Sequence, residues 1–222
     1  SSIRSKREGF CPDKVANLFF LIVLSSLIGA RALFVILRLD YFLEHPLHVF
    51  MLWRGGLVFF GGLCSAVMAS VFYCRYSALP TLSMADLLAP SIALGHVFGR
   101  LGCFAYGCCY GTVTDLPWAV TFPGDPNALA RHPTQLYEAA FELFMFFALS
   151  SYYEKKPPSG SVMGAYVLSY SIWRFFIEFI RGDNRGGEFL FGLSIAQNIS
   201  LLLGFCSFVF LLYTFSRTRR RA

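Results

Sequence analysis

The sequence predicts an all-α integral membrane protein, and three observations support this fold class. Hydrophobic residues make up 56% and charged residues only 14% of the 222-residue chain. Its mean hydropathy of +0.56 is far above that of an ordinary soluble domain. Long apolar runs recur between short links, with no internal repeat and no long linker. We therefore expect a single membrane domain over residues 1–222.

Six apolar runs are long enough to cross roughly 30 Å of hydrocarbon as helices, which takes about 20 residues each. They cover residues 15–39, 57–74, 84–101, 135–153, 162–180 and 191–215. The links "RYSALPTLS" and "EKKPPSG" separate runs because proline, glycine and charge interrupt a helix pattern. Residues 103–133 form the longest stretch outside a run, and we expect an external loop region there.

Lysine and arginine set the expected orientation, because positive residues in short loops stay in the cytoplasm. Placing the first residue inside puts both chain ends and the link with Lys155 and Lys156 on the cytoplasmic side. The chain opens without a methionine or a signal-like segment, so we expect its true start, with another helix, to precede Ser1. The net charge of +6 follows from this topology and from contact with lipid phosphates, so no nucleic-acid partner is expected.

Charged residues within the apolar runs are the first candidates for function. Arginines lie inside or at the margin of apolar runs at Arg31, Arg100 and Arg174. A cation there costs roughly 2.5 to 3.5 kcal/mol on insertion scales, so it usually faces a polar cavity. Tyr170, Glu178 and Arg181 share one helix face with Arg174 because of their spacing. Two interpretations stay open: a Glu178 ion pair that joins two helices, or a cavity whose arginines hold an anion such as phosphate.

The stretch "GRLGCFAYGCCYG" follows Arg100 with Gly102, Gly107 and Gly111. Glycine lets a backbone leave the helix, and irregular backbone at membrane depth must be buried in protein or line a cavity. We therefore expect a re-entrant or crevice-forming segment near the external face. His132 follows in "RHPTQLYE" and is either a capping residue or a proton-transfer group, because histidine titrates near physiological pH.

Further motifs follow one another in a fixed order along the chain. They are "IGARA", "DYFLEHPLHVFMLWRGG", "GGLVFFGGL", "ALGHVFGRLG", "RHPTQLYE", "YSIWRFFIEFIRGDNRG" and "LSIAQ". In this order and spacing they resemble the phosphatidylglycerol–prolipoprotein diacylglyceryl transferase family. The resemblance implies a bacterial inner-membrane enzyme with its active site toward the external face. It also implies seven spanning helices in the full protein, of which the six runs of this chain would be the last six. It would move a diacylglyceryl group from phosphatidylglycerol to the lipobox cysteine of a prolipoprotein signal peptide and release glycerol 1-phosphate. Its partners would be these substrates and membrane lipids, with no cofactor and no metal.

The resemblance also implies site residues. Arg100, Arg174 and His132 match catalytic positions. Residues that would bind substrate are Arg31, Gly102, Cys108, Gly111, Gln135, Tyr137, Glu138, Tyr170, Glu178 and Arg181. Three positions depart from the family pattern: Phe60 replaces a histidine, Cys103 an asparagine and Cys108 a glutamate. The residues that would bind phosphate therefore match the family pattern better than the residues that would remove the proton from the acceptor thiol.

Cys103, Cys108 and Cys109 leave three alternatives open. They form a structural disulfide or pack together, they act in the site, or they bind metal or exchange electrons. A catalytic thiolate at Cys103 is consistent with the nearby Arg100, because a cation favours the charged form. Metal is least favoured, because CxxxxCC lacks the paired CxxC spacing of structural zinc.

Two competing functions follow from these departures. One is a divergent relative that uses another lipid donor or acceptor. The other is a non-catalytic membrane protein for thiol redox or lipid binding, in which the cysteines would matter and the arginines would serve only folding.

Overall fold

A computed structural model of the chain describes residues 10–123, 129–182, 188–190 and 192–219. Seven α-helices occur within these ranges. They are α1 Pro12–Leu37, α2 Leu39–Glu44, α3 Phe59–Tyr76, α4 Thr81–Tyr106, α5 Thr134–Glu154, α6 Ser161–Ile177 and α7 Ile195–Arg219. Each of the six predicted runs contains one long helix, so the mostly helical fold is confirmed. The first three residues of the chain and the "DNR" of the motif at 183–185 lie outside the described ranges.

Four of the described helices are long and apolar enough to cross a membrane, judged by length and composition: α1, α3, α4 and α7. The other two predicted spans carry more polar side chains or are shorter. α5 contains Glu138 and Glu142, and α6 has 17 residues. A membrane protein with several spans is therefore supported, while the count of six stays a prediction.

The end of α4 differs from the expectation that the chain leaves the helix soon after Arg100. The helix continues to Tyr106, so Gly102 and Cys103 lie in regular helix. A Cβ at Gly102 would meet no atom of the described residues within 4 Å, so this glycine does not mark a close approach. Irregular backbone begins only at Gly107, whose φ of +78° is a left-handed conformation that glycine adopts without strain.

The chain divides into two compact units, residues 1–84 and 85–222. In the first, α1 packs against α3 through small residues. A Cβ on Gly29 would collide with Ser65, and a Cβ on Gly62 would lie 2.9 Å from the carbonyl oxygen of Ser26. Small residues of this kind let helix backbones approach closely. Two short 3₁₀ helices, Pro46–Phe50 and Leu52–Arg54, lie between α2 and α3.

The second unit contains α5, α6, α7 and most of α4. Its core includes Ala89, Ala93, Met145, Leu149, Val162 and Tyr166. Asp86 of α4 accepts hydrogen bonds from the backbone N–H groups of Gly160 at 2.5 Å and Met163 at 2.8 Å. These bonds satisfy donors at the start of α6 that its own turns leave free.

The loop between α4 and α5 is anchored by backbone pairing. A short hairpin joins β1 Val120–Thr121 to β2 Ala130–Arg131 in antiparallel register. Gly111 pairs with Arg181 in an isolated bridge, which ties the loop to the segment after α6. A second hairpin, β3 Glu188–Leu190 with β4 Leu193–Ser194, precedes α7.

Candidate active site

Three helices of the second unit present polar side chains at intervals of four residues, which places each set on one helix face. They are His96 and Arg100 on α4, Glu138 and Glu142 on α5, and Tyr166, Tyr170 and Arg174 on α6. The ring centroid of Tyr170 lies 5.2 Å from that of His96, and Tyr170 also hydrogen-bonds the Arg100 side chain. The polar stripes of α4 and α6 therefore meet at Tyr170.

Glu138 joins two arginines that are distant in sequence. Its Oε2 lies 2.6 Å from Nη2 of Arg100, and its Oε1 accepts a hydrogen bond from Nη1 of Arg181 at 3.1 Å. The side chains of Glu138 and Arg181 are 1% and 2% exposed, so both charges are withdrawn from solvent. One carboxylate thus serves two guanidinium groups.

Arg174 has its own carboxylate. Its Nη1 lies 2.5 Å from Oε2 of Glu178, one helical turn further on. Ser194 donates a hydrogen bond to the other oxygen of Glu178 at 2.9 Å, and Arg181 Nε lies 4.0 Å from Glu178 Oε2. The ion pair expected between Arg174 and Glu178 is therefore present, and it belongs to a larger network.

Arg100, Arg174 and Arg181 contribute three positive charges to this arginine–glutamate network, and the carboxylates of Glu138 and Glu178 pair with them. Among the residues that the structure describes, the buried Nε of Arg100 has no hydrogen-bond partner. Several guanidinium groups and a buried donor without a partner, in a low-dielectric setting, favour an anion with several oxygens, such as a phosphate.

His96 is a polar residue that the sequence reasoning missed. Its Nδ1 lies 2.8 Å from Oε1 of Glu142, a carboxylate that is 1% exposed. Tyr166 also donates to Glu142, at 3.2 Å to Oε2. If the neutral ring donates from Nδ1 to this carboxylate, Nε2 keeps a lone pair that can accept a proton. The available signal was the spacing of four residues between His96 and Arg100.

His132 has a different partner from His96. Its Nδ1 lies 3.2 Å from the hydroxyl of Tyr137, which accepts a hydrogen bond from Trp118 Nε1 at 2.7 Å. If the single Tyr137 proton goes to Nδ1, the neutral His132 ring carries its own proton on Nε2. In that tautomer Nε2 donates to an anionic oxygen and does not remove a proton.

Gly111 occupies a position without room for a side chain. A Cβ there would lie 2.6 Å from the His132 Cβ and 2.6 Å from the Ile180 carbonyl oxygen. The Gly111 N–H donates to the His132 carbonyl at 2.8 Å, and Thr112 donates to Ile180 at 2.8 Å. This close approach brings the start of α5 and the segment after α6 to the same stretch of loop.

The thiols of Cys103, Cys108 and Cys109 lie within 4.8 Å of one another, and none is in a disulfide. Partial burial, followed by the neighbouring thiols of Cys109 and Cys103, raises the pKa of Cys108 to about 12. Cys108 is therefore a protonated thiol at neutral pH, which argues against its acting alone as a thiolate. Gln135, fully buried, donates to the Cys108 carbonyl at 2.6 Å.

Arg31 lies in the first unit and has a different environment. Its guanidinium makes five hydrogen bonds to backbone carbonyls, between 2.5 and 3.4 Å, which matches its five N–H donors. These carbonyls belong to His48, Val49, Met51, Gly55 and Gly56. Its predicted contact with substrate stays a prediction, and this geometry leaves it no donor for that contact. Phe60 lies on α3 of the same unit with 49% of its surface exposed.

Helices that can cross a membrane and a buried network of arginine and glutamate side chains define a polytopic membrane protein with a charged internal site. The model of the prolipoprotein diacylglyceryl transferase family matches residues 1–213. The chain belongs to this family, which confirms the resemblance seen in the motifs and makes it a member of a family of transferases.

Three relatives show how far the similarity extends. All three are phosphatidylglycerol–prolipoprotein diacylglyceryl transferases. The protein of Clostridium tetani is 35% identical over 201 residues, which cover 89% of this chain and 80% of that protein. That of Bordetella avium is 37% identical over 208 residues, or 92% and 79%. That of Pseudoalteromonas translucida is 38% identical over 198 residues, or 87% and 73%.

Proposed function

We propose that this chain transfers the diacylglyceryl group of phosphatidylglycerol to the lipobox cysteine thiol of a prolipoprotein and releases glycerol 1-phosphate. Family membership supports the reaction. The observation that carries it is the buried arginine–glutamate network, in which three guanidinium groups come together and the Nε of Arg100 has no hydrogen-bond partner among the described residues. We place the reaction in the bacterial inner membrane, with six spans in this chain and the site toward the external face.

The arginines act on the phosphate in this proposal. The acceptor sulfur attacks the carbon of the diacylated glycerol that is bonded to the phosphate oxygen. A C–S bond forms there, and the C–O bond breaks with its electrons going to the phosphate oxygen. Negative charge therefore grows on the leaving group. Guanidinium groups already fixed by Glu138 and Glu178 stabilise that charge without reorganising, which is strongest in a buried, low-dielectric site.

His96 takes the proton of the acceptor thiol in this proposal. The thiolate is the reactive form of cysteine, so the proton must leave before or during attack. Glu142 orients the His96 ring and stabilises its charged form, as a carboxylate does for a catalytic histidine. Proton removal is thus assigned to His96 on α4, which Glu142 on α5 orients. Phe60 cannot take this role because its phenyl ring has no group that accepts a proton.

The test of the proposed function is a lipidation assay on purified protein with phosphatidylglycerol and a lipobox peptide, read by mass spectrometry. We expect a diacylglyceryl mass on the peptide thiol. Arg100→Gln and Arg174→Gln should reduce the rate by about 100-fold or more, because each removes a charge aimed at the leaving phosphate. Arg38→Gln, at an exposed arginine, is the matched control. Full activity in both site variants would contradict the proposal.

His96→Gln tests the proton acceptor in the same assay. We expect the rate to fall by about 100-fold or more. His45→Gln, at an exposed histidine of the first unit, should leave the rate unchanged. Transfer at the unmodified rate in His96→Gln would remove this residue from the mechanism.

A second candidate function is favoured by Phe60 and by the cysteines at 103 and 108. These differences would fit a relative that uses another lipid donor or acceptor. Expression in cells depleted of their own transferase separates the two: restored lipoprotein maturation supports the first function. A correctly inserted protein that leaves the precursor unmodified supports the second.

A further inference from the structure

The three cysteines at the end of α4 converge on one point. The sulfur atoms of Cys103, Cys108 and Cys109 all lie within 4.8 Å of one another, and each residue is partly buried. The proposed transfer uses none of these thiols, because its sulfur comes from the acceptor peptide. Three soft ligands held together without a role in the reaction call for another explanation.

The helix end itself brings the first two thiols together. The Cys108 N–H donates to the Cys103 carbonyl at 3.1 Å, and the Gly107 N–H donates to the Phe104 carbonyl at 3.1 Å. With Gly107 at a positive φ, this is the Schellman pattern of a helix C-terminus. In that pattern the side chains at the positions of Cys103 and Cys108 commonly contact each other. Local backbone geometry therefore fixes their proximity.

The third thiol is positioned by anchored backbone. Cys109 has a φ of +66°, a conformation that side chains other than glycine rarely adopt. Thr134 donates to its carbonyl at 2.7 Å, and Gln135 donates to the carbonyl of Cys108 at 2.6 Å. Both donors belong to the first turn of α5 and are fully buried. The strained turn is thus held by α5, which keeps the three sulfurs on one side.

We propose that Cys103, Cys108 and Cys109 bind one thiophilic d¹⁰ cation, Zn²⁺ or Cu⁺, through their three sulfurs. Thiolates select such soft ions over Mg²⁺ or Ca²⁺. Three sulfurs at about 2.3 Å from a central zinc stand about 4 Å apart, which a small contraction of the cluster reaches. Binding replaces the thiol protons, which pass to solvent, and involves no oxidant or reductant.

The number of ligands distinguishes the two ions. Cu⁺ accepts three sulfurs as a complete set, whereas Zn²⁺ takes a fourth ligand. Gln135 lies beside the cluster, and its Oε1 has no hydrogen-bond partner within the described part of the chain. A water molecule or this amide oxygen would complete the zinc shell. A disulfide is the competing outcome, since it would join two sulfurs and leave the third alone.

Metal binding is measured on the reduced full chain in lipid nanodiscs, without donor lipid or peptide. The background variant replaces Cys11, Cys64, Cys74 and Cys206 with serine, so that only the cluster remains. It is exposed separately to Zn²⁺ and to Cu⁺ and then desalted. We expect about one bound ion per chain, and Co²⁺ used as a probe should give a sulfur-to-cobalt charge-transfer band.

The matched variants are Cys103→Ser, Cys108→Ser and Cys109→Ser, each made in that background. Each should weaken binding by more than about tenfold, because even residues behind metal ligands change affinity by that factor. No ion above the level of the triple serine variant would overturn the inference. So would a disulfide within the cluster in protein isolated without reductant. Because no lipid transfer is measured, failure of the proposed function leaves this result intact.

Discussion

Buried arginines occur in both compact units, but their guanidinium groups are stabilised by different kinds of partner. Arg31 in the first unit gives its five donors to backbone carbonyls, which are dipoles without net charge. Arg100 and Arg181 in the second unit share the carboxylate of Glu138. Carbonyls of a folded segment cannot leave, whereas a carboxylate side chain can yield its place to another anion. The kind of partner therefore separates an arginine that holds a fold from one that can hold a ligand.

The surroundings of the two sites support this distinction. Arg31 also lies over the rings of Phe34 and Phe42, with centroids 5.5 and 5.4 Å away, so apolar faces cover what the carbonyls leave open. Arg100 instead contacts Tyr170 and Glu138 and retains a buried Nε without a hydrogen bond among the described residues. Every N–H donor of Arg31 has an acceptor, whereas Arg100 keeps one donor without an acceptor among the described residues.

Glu138→Gln gives the largest expected effect in a test of this difference between the two units. The substitution leaves two buried guanidinium groups without their shared counter-charge. We expect a loss of about 4 kcal/mol in the free energy of unfolding, because removal of one partner from a buried ion pair costs about 3 to 5 kcal/mol. Thermal unfolding in nanodiscs measures it. Added glycerol phosphate should raise the unfolding temperature of the variant, and no such rise would argue against an exchangeable anion.

Arg31→Gln tests the saturated arginine. We expect a loss of about 3 kcal/mol in stability, because several carbonyls lose a charged donor. The KM for phosphatidylglycerol should stay within about twofold for the fraction of protein that is folded. Arg54→Gln, at an exposed arginine of the same unit, serves as the control for both measurements. A large rise in KM with normal stability would instead move Arg31 into the lipid site.

Asp86→Asn gives the smallest expected effect and compares how the two units start their helices. α1 and α3 have no side-chain cap, whereas Asp86 caps α6 from a neighbouring helix. We expect a loss of about 1 kcal/mol, since the amide retains only one acceptor for two N–H donors. Hydrogen exchange at Gly160 and Met163 should speed up. Asp13→Asn in the first turn of α1 should have less effect.

Some of this arrangement could be read from the sequence. Apolar run length predicted the six long helices, and a spacing of four residues placed Tyr170, Arg174 and Glu178 on one face. The glycine at 107 carried the signal for the end of α4, although the predicted run stopped earlier. These features depend on residues close together in the chain, where helix geometry alone decides which side chains are neighbours.

The remaining features depend on how helices pack, which no local pattern encodes. The sequence could not show that Glu138 serves Arg100 and Arg181 together, because the two arginines are 81 positions apart. It could not pair His96 with Glu142 for the same reason. Nor could it show that Arg31 is satisfied by carbonyls, since an arginine among apolar residues gives the same pattern whether it binds a loop or a lipid.

The position of Glu138 also affects repeated turnover by the enzyme. Its carboxylate already binds two arginines, so it competes with an incoming phosphate for their guanidinium groups. A phosphate therefore gains only the difference between its own contacts and those of Glu138, and the leaving product faces a side chain ready to reclaim both arginines. On the proposed function, the same residue that shields the charges between cycles limits product inhibition, so tight recognition of the headgroup need not slow turnover.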